Sequence, residues 1–229
     1  MTYKFETPAV FLIGPSASGK TETSIRLAER YPLEIISVDS AMVFKEMNIG
    51  TCKPSRKELE RVPHHLVDVL EPDANFDVGL FINYVESAVK KIIGNNNIPL
   101  FVGGTMMFHK VLLDGIHNFP RDENLRAEIN LIKENSGYER LLEELKILDP
   151  ETFQLIDIKN QRRVARALEI IKLTKTKLSL LKKESPIKFL KSEKCLILGM
   201  NDSKKELDLS VEKRLKNIIK KGLIKEVEK

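Results

Sequence analysis

The chain has 229 residues, 42% apolar and 31% charged, with 38 Lys and Arg against 33 Asp and Glu and a net charge of +5. That length admits one α/β domain with a smaller appended unit, and the basic balance favours an anionic partner without naming it. No apolar run approaches the roughly 20 residues of a membrane helix, residues 2–7 are short and polar, unlike a signal peptide, and Cys52 and Cys195 have neither disulfide-framework nor metal-ligand spacing, so a cytoplasmic setting is expected.

The first strong signal is the apolar run Ala9–Ile13, of the length of a buried strand. Gly14-Pro15-Ser16-Ala17-Ser18-Gly19-Lys20-Thr21 follows, a full match to G-x-x-x-x-G-K-[ST], and a helical pattern continues to Arg30. In that setting the loop backbone cradles anionic oxygens, the helix N-terminus adds a favourable field, Lys20 supplies a point charge, and the Thr21 hydroxyl can ligate Mg²⁺. By itself the loop is a nucleotide-triphosphate, ATP-type signature; it reports phosphate, not which phosphate compound.

A second strand, Leu33–Val38, delivers Asp39 and Ser40 at its carboxyl end, where parallel α/β sheets hold ligands. Asp39 is a candidate for catalysis or metal binding, or equally an N-cap for a short helix near Ala41. Residues 47–54, Met-Asn-Ile-Gly-Thr-Cys-Lys-Pro, form a compact loop in which Thr51 and Lys53 can face a ligand. A short helix over 55–61 and a strand leading from Pro63-His64-His65-Leu66 come next. Adjacent histidines on a strand face opposite ways, which argues against a shared zinc.

An amphipathic helix over 77–93 and a buried strand over 98–102 end in Gly103-Gly104-Thr105, again at a carboxyl edge, as a ligand-facing turn or a plain strand-to-helix connection. Strand–helix alternation predicts a parallel sheet. From 119 to about 186 the pattern is helical: a leucine stripe at Leu141, Leu142, Leu145 and Leu148, then Asn160–Glu169 with Arg162, Arg163 and Arg166 within about one turn. That arginine group is a solvated face or an anion clamp, and five lysines between 172 and 183 make a surface suited to a phosphate backbone. Cys195–Met200 reads as a strand returning to the sheet, 203–221 as a helix, and Gly222 as its C-cap. The expected organisation is a P-loop α/β core over 1–115, a helical insertion over 116–190, and a return to the core over 191–229.

Taken together, these blocks resemble the bacterial tRNA dimethylallyltransferase (tRNA isopentenyltransferase) family. GPSASGKT is similar to its GPTASGK[ST], the block Ser37–Pro54 to its SxDSxQxYxxxDIGTAKP, Pro63–Leu66 to its PHHL, Gly103–Thr105 to its GGT, Asn160–Glu169 to its NxxRxxRALE, and Val211–Leu215 with Gly222–Val227 to its later helix. The resemblance implies a P-loop NTPase-like α/β fold with a helical tRNA-binding insertion. It implies transfer of a dimethylallyl group from dimethylallyl diphosphate to the N6 amine of the adenosine 3′ of the anticodon, in tRNAs reading codons that begin with U. It further implies Mg²⁺ as cofactor, the tRNA anticodon stem-loop as partner, and a monomer without membrane attachment.

Carried over by position, Asp39 is the expected general base, with Thr105 and Arg126 also catalytic. Gly14, Ser16, Ala17, Ser18, Gly19, Lys20 and Thr21 hold the diphosphate, and Thr21 the metal. Ser40, Met42, Lys53, Arg162, Arg163 and Arg166 meet tRNA. The sequence departs from the pattern at Met42 (for Gln), Phe44 and Phe108 (for Tyr) and Asn48 (for Asp). Family members usually run on beyond the block matched by Gly222–Val227, with a further arginine expected at the diphosphate. Two rival readings stand beside this one: a P-loop kinase of a small molecule or nucleotide, and a tRNA-binding remnant without catalysis.

Overall fold

Two apolar stretches, Ala9–Ile13 and Ile98–Gly103, lie side by side at the centre of a five-stranded sheet in the computed structural model, which describes residues 3–228. The chain runs β1 (Tyr3–Phe5), β2 (Ala9–Ile13), α1 (Lys20–Arg30), β3 (Leu33–Ser37), α2 (Arg56–Arg61), β4 (His64–His65), α3 (Val78–Gly94), β5 (Ile98–Gly103) and α4 (Met106–Asp114). Five helices follow: α5 (Glu123–Ser136), α6 (Tyr138–Leu148), α7 (Pro150–Leu155), α8 (Gln161–Thr174) and α9 (Leu178–Leu181). It closes with β6 (Lys188–Leu190), β7 (Cys195–Gly199), α10 (Lys204–Lys220) and α11 (Leu223–Val227). Two compact units result: residues 3–114 with 188–228, and residues 115–187. No helix among the described residues is long and apolar enough to cross a membrane.

In the α/β unit the strand order is β4-β3-β5-β2-β7, with every pairing parallel. All carboxyl ends therefore lie on one edge. β3 is buried at every residue, as expected of a strand covered on both faces. β5 sits between β2 and β3, so the loops after all three converge. Gly103 is required by that convergence: a Cβ there would lie 2.0 Å from the Val38 carbonyl oxygen. α3 starts at the Asp77 carboxylate, which accepts the Leu80 N–H, and buries Phe81, Val85, Ala88, Val89 and Ile92 against the sheet. Phe81 and Phe108 stack with ring centroids 4.0 Å apart.

Three features differ from the sequence expectations. The strand after Pro63 is only two residues long, because Leu66 and Asp68 both take positive φ (61° and 55°) and turn the chain off the sheet. β1 and β6 form a separate parallel pair, Tyr3 opposite Lys188 and Phe5 opposite Leu190. Gly222, at φ 100°, ends α10 as expected but also starts α11.

Glu34 is charged yet 2% exposed inside β3. It accepts hydrogen bonds from Asn95 Nδ2 (2.8 Å) and Asn97 Nδ2 (2.9 Å), and His65 Nε2 lies 2.7 Å from its other oxygen. Burial alone would raise its pKa, but these donors outweigh it and hold the carboxyl below its usual range. His64 instead places Nδ1 on the Val62 carbonyl, 2.9 Å away.

His109 in α4 is 1% exposed. Its Nε2 donates to the Gly103 carbonyl (3.2 Å), while Nδ1 is buried with no partner among the described residues. Burial, reinforced by the Lys20 charge, lowers its pKa. Its unfolded form therefore binds a proton first, and stability falls as pH drops below about 6.5. We expect His109→Leu to remove a pH-dependent loss of up to about 1.4 kcal/mol per pH unit between pH 6.5 and 5. Urea midpoints measured at both pH values, wild type against variant, check this; parallel losses in the two proteins would count against it.

The helical unit packs Ile129, Leu141, Leu145, Val164, Leu168 and Leu178 into its own core, so the leucine stripe contributes packing. Asp149, fully buried, caps α7 through Thr152 N–H (3.1 Å) and accepts Ser179 N–H (2.8 Å), which ties α9 to the same point.

Candidate functional site

The loop after β2 has the backbone curvature of an anion-binding concavity: Ala17 (φ 66°) and Gly19 (φ 81°) are both left-handed, with Gly19 capping α1. Ser18 is buried and its Oγ donates to the Pro15 carbonyl (2.8 Å), which closes the turn, while Ser16 is exposed. Gly14 passes so close that a Cβ would stand 2.9 Å from Ser18 Oγ and 3.0 Å from Met200 Cβ. Lys20 Nζ donates to the Gly14 (2.8 Å) and Pro15 (2.5 Å) carbonyls, holding the ammonium over the loop.

Asp39 follows β3 at the same sheet edge. Its Oδ1 accepts the Ala41 (2.8 Å) and Met42 (3.2 Å) N–H groups, capping a turn rather than a helix; among the described residues, Oδ2 accepts none. Thr105 is stitched beside it, since its N–H donates to the Val38 carbonyl (3.3 Å). Gly104 lies against the phosphate loop, its Cβ position 3.7 Å from the Gly14 carbonyl. The structure thus brings together the phosphate loop, Asp39 and the Gly103–Thr105 turn. Burial lowers the Lys20 pKa, the Arg214 guanidinium lowers it further, and the Asp39 carboxylate opposes both. Lys20, Asp39 and Arg214 therefore share one electrostatic environment.

Arg214, on α10, is a residue that motif reading misses. Its Nε lies 2.8 Å from Cys52 Sγ, which ties α10 to the 47–54 loop, and its charge acts on Lys20. Only its place in the Val211–Leu215 block marks it in the sequence. Thr21, in the first turn of α1, offers a hydroxyl, and Asp39 a carboxylate. Among the described residues no cluster of three or more His, Cys, Asp or Glu side chains could hold a metal. This hard-oxygen set fits Mg²⁺ in the usual phosphate-site manner, in which the ligand's own oxygens and water complete the shell.

Ser40 is exposed and Met42 half-buried beside Asp39. Lys53 behaves differently from a surface cation. Its side chain is 2% exposed, and Nζ donates to the Phe44 carbonyl (2.6 Å) and the Asp68 carboxylate (2.5 Å), so its charge is committed inside the protein.

The remaining cations belong to the helical unit. Arg162 and Arg163 are exposed at the start of α8, where Asn160 caps the helix. Arg162 lines a 570 Å³ concavity with Asp157, Lys159, Asn160 and Gln161. Arg166 instead turns inward to the Phe119 and Pro120 carbonyls and to Glu169. Arg126 gives its Nε–H to the buried Glu169 carboxylate (3.0 Å) and keeps a side chain 41% exposed. Lys172 and Lys183 pair with Glu144 and Glu151. A 910 Å³ groove on this unit, lined partly by Glu128, Glu144, Lys172, Lys175 and Lys177, takes in three of the five lysines noted between 172 and 183.

Comparison with known proteins agrees with this geometry. A family model described as IPP transferase matches residues 42–229, and one described as isopentenyl transferase matches residues 8–69. The chain is 38% identical over 220 residues to tRNA dimethylallyltransferase 2 of Geotalea uraniireducens (strain Rf4), covering 96% of this chain and 71% of that one. It is 38% identical over 218 residues to tRNA dimethylallyltransferase of Francisella tularensis subsp. novicida (strain U112), at 95% and 71% coverage. Among solved structures, the tRNA isopentenylpyrophosphate transferase of Bacillus halodurans superposes with TM-score 0.63 at 32% identity, over 97% of this chain and 69% of that one. A eukaryotic dimethylallyltransferase acting on tRNA gives TM-score 0.83 at 25% identity, over 97% and 55%.

Proposed function

From the premise that this chain belongs to the IPP transferase family, we propose that its sheet-edge site moves a dimethylallyl group from dimethylallyl diphosphate onto tRNA. Membership sets the kinase reading aside. The acceptor is the N6 amine of the adenosine 3′ of the anticodon, presented by the anticodon stem-loop of tRNAs that read codons beginning with U. The chain acts as a monomer in the cytoplasm. The observation that carries the reading is that Asp39, the Gly103–Thr105 turn and the 14–21 loop meet at one sheet edge, with the Thr105 N–H on the Val38 carbonyl (3.3 Å) and the Gly104 Cβ position 3.7 Å from the Gly14 carbonyl.

In this site the residues of the 14–21 loop bind the diphosphate, with Lys20 and Arg214 opposing the charge that builds on it. Mg²⁺, when bound through Thr21, would supply further positive charge to the same group. The amine nitrogen attacks the allylic carbon. A C–N bond forms, the C–O bond to diphosphate breaks, and the proton shed by the nitrogen goes to Asp39 Oδ2. An exocyclic amine is a weak nucleophile, so a positioned carboxylate matters. Thr105 stands beside the reacting carbon, and Ser40, Met42 and the 47–54 loop line the base side. The base must leave its stack to reach Asp39, at a cost of a few kcal/mol. Arg162 and Arg163 meet backbone phosphates, which position the RNA without reading its sequence. Arg126, its guanidinium held by Glu169, stays a candidate catalytic residue on the strength of the family resemblance.

Incubating the full chain with dimethylallyl diphosphate, Mg²⁺ and an anticodon stem-loop carrying consecutive adenosines tests this. The expected result is a mass gain of one prenyl group per RNA. RNA binding with no gain in mass would favour the remnant reading instead.

A further inference from the structure

Three successive backbone N–H groups in the 47–54 loop converge on one side chain distant in sequence. Glu226 of α11 accepts from Asn48 N (2.8 Å), Ile49 N (2.7 and 3.0 Å) and Gly50 N (2.9 Å), using both carboxylate oxygens. Such a run of N–H groups is a nest, the backbone's own anion site, and here the anion is part of the same chain. Gly50 is where α11 comes closest: a Cβ there would lie 3.0 Å from Leu223 Cδ1.

The loop needs an external hold. It is bracketed by Glu46 (φ 61°) and Cys52 (φ 54°), both left-handed without being glycine, and such residues persist where their surroundings over-determine them. Its own hydrogen bonds are local: Met47 N to Lys45 O and Asn48 N to Glu46 O at its start, then Cys52 N to Ile49 O, Lys53 N to Asn48 O, and Thr51 Oγ1 to Met47 O. Beyond the loop a continuous path leads to the reacting site. Lys53 Nζ holds the Phe44 carbonyl and the Asp68 carboxylate, Asp68 N–H holds the Met42 carbonyl, and Met42 N–H holds Asp39 Oδ1.

We propose that Glu226 is a positioning residue: its carboxylate latches the 48–50 backbone and so sets the wall of the site that receives the RNA base. The role of that wall rests on the function proposed above; the latch itself does not. Burial opposes the charge on Glu226, but the Gly50, Ile49 and Asn48 N–H groups outweigh it and hold the carboxyl below its usual range. The latch is therefore fully charged at neutral pH. Charge-assisted hydrogen bonds are the strong ones, which suits a side chain that anchors the 48–50 backbone while Arg214 and Asp68 hold the loop at Cys52 and Lys53.

Hydrogen exchange and steady-state kinetics on the full chain, with Glu226→Ala, Glu226→Gln and Gly50→Val, test this. In the wild type the amides of residues 48–50 exchange slowly. In Glu226→Ala they exchange fast, KM for the stem-loop rises at least about tenfold, and affinity for dimethylallyl diphosphate stays within twofold of wild type (about the scatter of such measurements). Glu226→Gln keeps an acceptor and recovers part of the loss. Gly50→Val pushes Leu223 away and reproduces the Ala phenotype with Glu226 intact. Unchanged exchange in Glu226→Ala overturns the latch; fast exchange with unchanged KM, or equal losses for RNA and donor, overturns the positioning role. If the wild type itself transfers nothing, the proposed function fails, and the exchange data still decide the latch.

Discussion

Asp39→Asn is expected to slow prenyl transfer by about 10²–10⁴-fold while leaving RNA affinity nearly unchanged. The substitution is close to isosteric and keeps the oxygen that accepts the Ala41 and Met42 N–H groups, so the turn after β3 survives. What it loses is the ability of Oδ2 to take the proton released when the amine attacks. It also removes a charge that opposes Arg214 at Lys20. That change leaves the ammonium easier to deprotonate, but the diphosphate itself restores a strong negative neighbour when bound. Donor affinity should therefore change far less than the chemical step. Single-turnover transfer and stem-loop binding, measured on the same preparation, separate the two quantities. Equal turnover by Asp39→Asn would reject Asp39 as the base.

The parts of this site that are contiguous in sequence are legible from residue order alone. Gly14 to Thr21 carries its own flanking strand and helix, so its local context identifies it. Asp39 and Gly103–Thr105 are legible as strand ends, because a parallel sheet puts all carboxyl ends on one edge. What the sequence hides is what depends on partners. Lys53 and Arg166 look like RNA-facing cations in a linear reading. The structure shows their charges spent on Asp68 and Phe44, and on Glu169 and two carbonyls. A charged residue's partner across the fold leaves no trace in local spacing. For the same reason Arg214 and Glu226 carry no local mark as site components: each acts on a loop far earlier in the chain. Glu34 breaks the pattern of an apolar strand, and only Asn95, Asn97 and His65 explain why it can stay there. β1 and β6 are hidden for another reason. Three residues carry too little periodicity, and their pairing is decided by distant chain.

Glu169 shows what such a hidden partner is worth to the helical unit. Its carboxylate is 1% exposed and accepts the Asp122 N–H (3.0 Å), the Arg126 Nε–H (3.0 Å) and an Arg166 Nη1–H (2.8 Å). One side chain thereby fixes the start of α5 to α8 and gathers two guanidinium groups. Arg121 is close as well: burial lowers its pKa, and the charges of Arg166 and Arg126 lower it further. Deleting the carboxylate leaves these cations facing one another and the Asp122 N–H without its acceptor. Breaking a buried pair from one side costs about 3–5 kcal/mol. The partial exposure of Arg126 and Arg166 lets water reach them and brings the cost to the lower end, about 3 kcal/mol. Glu169→Ala should therefore unfold the helical unit at a lower denaturant concentration and weaken stem-loop binding. Donor diphosphate binding, which belongs to the α/β unit, should remain. The same residue adds an acid limit. Burial alone would raise its pKa, but the Asp122, Arg166 and Arg126 bonds hold it below its usual range. Its stabilising share is present above about pH 4.5 and disappears as pH falls through the folded value. Denaturation followed by far-UV circular dichroism, with donor binding measured in parallel, checks both parts. A Glu169→Ala protein as stable as wild type, or one that loses donor and RNA binding together, would show that the carboxylate does not organise this unit.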